Sequence, residues 1–224
     1  MNTLSNVESN GGYTAPLIAE RTACLIPDAT NTESGVSVRY APNEKYLWFI
    51  FRVSYGREDK ALRFIINNGI YAYVPKRYAY HTANGKKTRI LKSLIPNLVF
   101  AYTTKEQAEI FVKKTPSFPY LSYYYNHFEL NPERKNPPLT VSRHEMENFI
   151  LATCSMNEHL RFVNETQCHF KGGELVRVTD GVFKGVEGRV ARVAGQQRVI
   201  VSLKNIGLVS TAYIPTAFIS IIKK

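Results

Sequence analysis

Histidine and cysteine are the residues through which this chain could hold a metal or attack a carbonyl, and neither is arranged for it. His81, His127, His144, His159 and His169 fall at no metal-ligand spacing, and Cys24, Cys154 and Cys168 include no Cys-x-x-Cys pair. A P-loop, a dinucleotide fingerprint, a nucleophile elbow and a paired-carboxylate motif are all absent from the sequence. Cys154 and Cys168 read as small, inert apolar residues, and the odd cysteine count suggests no disulfide framework. The expectation is a protein that is not an enzyme, carries no metal and no cofactor, and works in a reducing, cytoplasmic setting.

Binding chemistry is better represented. Lys76, Arg77, Lys86, Lys87, Arg89 and Lys92 have no acidic residue between them, and Tyr78, Tyr80 and His81 lie in the same stretch. Lysine and arginine can meet phosphates while aromatic rings stack on unpaired bases. A solvated hairpin whose charges block edge-to-edge pairing explains the same residues equally well. The formal net charge of the chain is +11. Its first forty residues carry only Arg21 and Arg39 against Glu8, Glu20, Asp28 and Glu33, so the excess positive charge lies beyond Tyr40. Such a basic body suits work close to nucleic-acid phosphates.

The elements that must position these residues follow from pattern. Residues 1–44 are rich in Asn, Thr, Ser and Gly without periodicity and read as a disordered tail. The aromatic and β-branched run 46–53 predicts a buried strand, and Ala61, Leu62, Ile65 and Ile66 predict a helix over 57–68. Two β-rich runs, 70–81 and 87–94, joined through Asn84-Gly85, predict a hairpin. A strand over 98–102, a capping box at Thr104 and Gln107, a tyrosine-dense strand within 118–128 and a second capping box at Ser142 and Glu145 complete this half. The order implies an α+β fold: an antiparallel sheet with helices packed on it, in a domain spanning 45–156. Residues 157–170 lose the periodicity and read as a linker. Beyond it, 171–224 has short strands at 175–178, 186–193, 198–203 and 209–214 separated by glycines, the pattern of a small all-β barrel. No uninterrupted apolar run is long enough for a membrane helix, so no membrane partner is expected.

Within that second domain, Gly173-Glu-Leu-Val-Arg-Val-Thr-Asp-Gly181-Val-Phe183-Lys-Gly185-Val-Glu-Gly188-Arg-Val resembles the KOW motif of NusG proteins and several ribosomal proteins. Trp48-Phe-Ile-Phe-Arg-Val-Ser-Tyr-Gly56-Arg-Glu58 looks like the opening of the NusG N-terminal (NGN) domain. Leu94-Ile95-Pro96-Asn97-Leu98-Val99-Phe100-Ala101 stands in the place of that family's Phe-Pro-Gly-Tyr strand. The general factor has Gly after the proline; Asn97 here matches specialised paralogues. Pro119-Tyr-Leu-Ser-Tyr-Tyr-Tyr-Asn-His127-Phe128, Gly195-Gln-Gln-Arg-Val199 and Thr211-Ala-Tyr-Ile-Pro215 resemble the UpxY group, operon-specific antiterminators of Bacteroides capsular polysaccharide loci.

The resemblance implies an NGN sheet sandwiched by helices, an SH3-like KOW barrel, and a monomeric elongation factor that suppresses termination in a surface polysaccharide operon. Two other readings stand beside it: a general housekeeping NusG, and an RNA-binding or ribosome-associated KOW protein. Its implied main partner is RNA polymerase, through the β′ clamp helices, met by Phe49, Ile95, Pro96, Leu98 and Phe100. Strand aromatics are as a rule core residues, and half of any such strand must face inward. Arg52, Arg57 and Lys60 correspond to the place where specialised paralogues touch non-template DNA, and leader RNA is the other nucleic-acid candidate. Lys204, Asn205 and Ile206 correspond to the loop offered to ribosomal protein S10 or to Rho; Ile206 stands where the family commonly has Phe.

Overall fold

The computed structural model describes residues 41–54, 56–113 and 121–222, so the tail read over 1–44 lies outside the described residues up to position 40. Strand β1 (Leu47–Val53) runs through the middle of the first sheet. It pairs antiparallel with β5 (Leu98–Thr103) on one side and with β6 (Leu121–Tyr123) and β7 (Thr140–Val141) on the other; β2 (Tyr71–Tyr73) lies beyond β5. Successive side chains of a strand point to opposite faces. Phe49, Phe51, Val53, Val99 and Ala101 therefore form one core with Ala61 and Ile65 of α1 (Glu58–Asn67) and Ala108 and Phe111 of α2 (Lys105–Lys113). Trp48, Ile50, Phe100 and Tyr102 point the other way, into a core shared with α3 (Arg143–Thr153). Each such buried aromatic or aliphatic side chain contributes about 1.5–3 kcal/mol.

Both predicted caps are present. The Thr104 hydroxyl accepts from the Gln107 amide at 3.3 Å, and Ser142 accepts from the Glu145 amide at 3.3 Å while its own hydroxyl donates to Glu145 Oε2 at 2.7 Å. Helix α3 buries Met146 and every residue from Asn148 to Thr153. A helix with one apolar stripe cannot do this; α3 is enclosed because it has a sheet on either side. The tyrosine-dense stretch contributes only β6, its residues up to Tyr120 lying outside the described set.

The predicted hairpin is β3 (Lys76–Ala83) with β4 (Lys86–Ser93), a separate two-stranded sheet in unbroken register. Asn84 and Gly85 both have positive φ, 49° and 75°, as a two-residue turn matched to strand twist requires.

Beyond α3 the chain forms a six-stranded antiparallel sheet of β8 (Arg161–Val163), β9 (His169–Val178), β10 (Glu187–Val193), β11 (Gln196–Leu203), β12 (Gly207–Tyr213) and β13 (Ile219–Ile221), in the order β13-β9-β10-β11-β12-β8. The stretch 157–170, read as a linker, supplies β8, a 3-10 turn at Glu165–Gln167 and the start of β9. Val163 and Cys168 are the reason: both are buried with Ala191, Val193 and Ile200, which holds the segment against the sheet.

The two sheets share α3. The cluster around Trp48 and Phe149 continues without a break into Val176, Val186, Val199 and Leu203. Asn148 on α3 forms a two-way clasp with the backbone of Glu187: its Nδ2 donates to the Glu187 carbonyl at 2.7 Å and its Oδ1 accepts from the Glu187 amide at 2.8 Å. A second knot forms where the chain passes between sheets. Arg77 of β3 donates to the Glu158 carbonyl at 3.4 Å, Arg161 to the carbonyls of Glu158 at 2.5 Å and Leu160 at 3.0 Å, and Arg198 of β11 to that of His159 at 2.8 Å. Burial, helped by the charge of Arg161, pulls the Arg77 and Arg198 guanidinium pKa values down.

Cys154 is disulfide-bonded, a bond that an odd count of three had not suggested. Cys168 is a free buried thiol, and burial raises its pKa, which disfavours the reactive thiolate.

Candidate functional site

The two stretches that carried the NusG resemblance in the first half are physically locked together. Glu58 opens α1 and is buried; its Oε1 accepts from the Asn97 amide at 2.8 Å, and the Asn97 carbonyl accepts from the Val53 amide at 2.9 Å. Asn97 itself sits at φ +64°, a left-handed conformation that Gly adopts freely and Asn better than most residues. The backbone at position 97 thus suits Gly or Asn, and the buried carboxylate holds its amide in place. Removing that carboxylate with Glu58→Ala should cost about 1.5–3 kcal/mol in denaturant unfolding, with Glu58→Gln intermediate. Equal stability of all three proteins would show that the contact does not shape the turn.

The five residues expected to meet a polymerase are not brought together. Phe49 lies in the core against α1 and α2, whereas Ile95, Leu98 and Phe100 belong to the core on the α3 face. Ile95 is 4% and Leu98 6% exposed. Alternation in β5 turns Leu98 and Phe100 onto the α3 face, Ile95 packs into the same core from the bend before β5, and Phe49 is covered by α1 and α2. Pro96 alone of the five reaches solvent.

The basic residues divide more favourably. Arg52, Arg57 and Lys60 are exposed around the start of α1, and Lys86, Lys87 and Arg89 are exposed on the hairpin. Lys76 joins the two groups: its Nζ lies 2.6 Å from Asp59 Oδ1, fixing the hairpin's foot beside the first turn of α1. Lys76 and Arg77 are therefore committed to structure, the one to Asp59 and the other to Glu158.

The loop of Lys204, Asn205 and Ile206 faces the first domain rather than open solvent. Asn205 Nδ2 donates to Asn126 Oδ1 at 3.3 Å, and Ile206 is half-buried against the α3-side core. Lys204 is exposed. These residues help line a groove of about 810 Å³ between the domains, with Phe128, His144 and Asn148 on its other wall. Sequence reasoning missed Phe128 and Leu130 as surface residues, 77% and 64% exposed. They stand on a loop closed by Asn126, whose amide donates to the Pro137 carbonyl at 2.8 Å and whose Oδ1 accepts from the Phe128 amide at 3.0 Å. The Asn and Pro content of 126–138 was the available signal.

Among the described residues, no group of three or more His, Cys, Asp or Glu is placed to hold a metal ion. Likewise, no described helix is long and apolar enough to cross a membrane.

Residues 46–150 match the family model NusG, described as Transcription termination factor nusG. This stretch is similar to the NusG family. It spans β1 to α3, including the Glu58–Asn97 lock and the hairpin, and covers just under half of the 224 residues. No curated protein matches the chain. The match thus ends inside α3, the helix on which the second sheet is clasped.

Proposed function

We propose that this protein is a specialised NusG-like elongation and antitermination factor, which binds RNA polymerase in the cytoplasm and prevents premature termination in a surface polysaccharide operon. The observation that carries the reading is the NusG match over 46–150. Supporting it is the order of parts: a glycine-punctuated KOW-like stretch follows, in an antiparallel sheet that we read as an SH3-like barrel. Asn97 in place of Gly, together with the tyrosine-dense stretch, favours the specialised UpxY-like role over a housekeeping one. The action is restraint, not chemistry. A factor that binds the elongating polymerase better than the paused one by ~1–3 kcal/mol shifts their ratio roughly 5- to 150-fold.

Contact with the β′ clamp helices would be made by the exposed rim at Pro96 and its neighbours, since Ile95, Leu98, Phe49 and Phe100 are core. The KOW loop at Lys204, Asn205 and Ile206 would reach S10 or Rho only after leaving Asn126. The deciding experiment is gel filtration of the full-length chain with a stalled elongation complex of the host polymerase at low salt. Co-elution is expected; separate elution of chain and complex would end the reading.

A further inference from the structure

We propose that one face of the β3–β4 hairpin, the face carrying Tyr78 and Tyr80, is a platform for an unpaired nucleic-acid strand. Register assigns the face. Tyr78 is opposite Leu91, Tyr80 opposite Arg89 and Thr82 opposite Lys87, so these side chains share one side of the ribbon, while Arg77, His81, Lys86 and Lys92 share the other. On the first side the guanidinium of Arg89 lies 3.7 Å from the Tyr78 ring centroid, and Lys87 Nζ lies 4.3 Å from that of Tyr80. Each cation covers the ring one pair nearer the foot, which makes two cation–ring units in the same orientation. Tyr80 is 53% exposed, and Arg89 and Lys87 are exposed.

Rings two residues apart on a strand stand about 6.6–6.8 Å apart, a step that an extended single strand can follow base by base. A cation beside each ring puts positive charge where a phosphate follows a stacked base. A duplex has no free base faces to offer such rings. Edge protection accounts for lysines on an isolated ribbon, but not for two tyrosines left half open beneath their cations.

The platform does not depend on polymerase, so the free protein tests it. Fluorescence anisotropy with labelled dT12, U12 and a blunt twelve-base-pair duplex should show both single strands bound at least tenfold more tightly than the duplex. Tyr80→Ala should weaken single-strand binding roughly 5- to 100-fold, and Tyr80→Phe should restore it, since stacking needs the ring and not the hydroxyl. Lys87→Gln with Arg89→Gln should flatten the slope of log K against log salt by about 1.4. The exposed Tyr80 site and an unchanged melting curve separate these effects from misfolding. A preference for U12 names a transcript as the source and a preference for dT12 a separated DNA strand; either supports the platform. Equal affinity for duplex and single strands, or full binding by Tyr80→Ala, would overturn it.

Discussion

Gly188→Ala should strongly destabilise the second sheet. Gly188 lies in β10 opposite the β11 backbone, and a methyl group there would overlap the Ile200 carbonyl oxygen and come within 2.8 Å of Val199 Cγ1. A flexible side chain can step aside; a carbonyl hydrogen-bonded within a sheet cannot. The residue before it, Glu187, is held on both its amide and its carbonyl by Asn148, and its carboxylate takes two bonds from Arg177 at 2.7 and 3.1 Å. The strand therefore has no freedom to retreat. A cost of about 3–5 kcal/mol is expected, a large share of a domain's stability. Thermal melting should fall by about 10 °C or more, with lost amide protection across β9, β10 and β11. Gly195→Ala is the comparison: it sits in open space at φ +77° and should cost only about 1–2 kcal/mol. Equal melting of the two variants would show that the close approach is not real.

Ile95→Asp combined with Leu98→Asp should abolish folding of the NusG-like domain, not merely a surface contact. Both side chains lie in the core with Trp48, Phe100 and Phe149. An unpaired carboxylate there costs several kcal/mol, and two approach the whole stability of a domain. Far-UV circular dichroism should show no cooperative transition, and any loss of polymerase binding by this variant would report unfolding. Pro96→Asp, at the exposed rim, is the variant that separates docking from stability. If the double variant melted like the unsubstituted protein, both side chains would have to be on the surface.

Much of the architecture was legible because it is local. The continuous apolar runs at 46–53 and 98–102, the N-cap hydroxyls of Thr104 and Ser142 and the Asn84-Gly85 turn each specify their element within a few residues, and each is found in place. The four short strands of the second domain were legible for the same reason. Contacts between distant segments were not. That Glu58 would reach Asn97, Asn148 reach Glu187, or residues 161–163 pair with β12 depends on how finished elements stack, which no short window encodes. For the site, the hairpin's charge and aromatic content could be read directly, but its sidedness needed register. Phe49, Ile95, Leu98 and Phe100, read as polymerase contacts, are buried in the structure for a related reason: an apolar residue looks the same in sequence whether it faces a partner or a core.

The three arginines gathered on the carbonyls of residues 158–160 have a mechanical consequence. One comes from the foot of the hairpin, one from the connecting strand and one from β11, and all three grip successive peptide groups. Any force applied at the hairpin tip is delivered to the same short length of main chain that seats the second sheet. The tilt of the ribbon and the set of that sheet are geared to each other, and a load on one is felt as torque on the other.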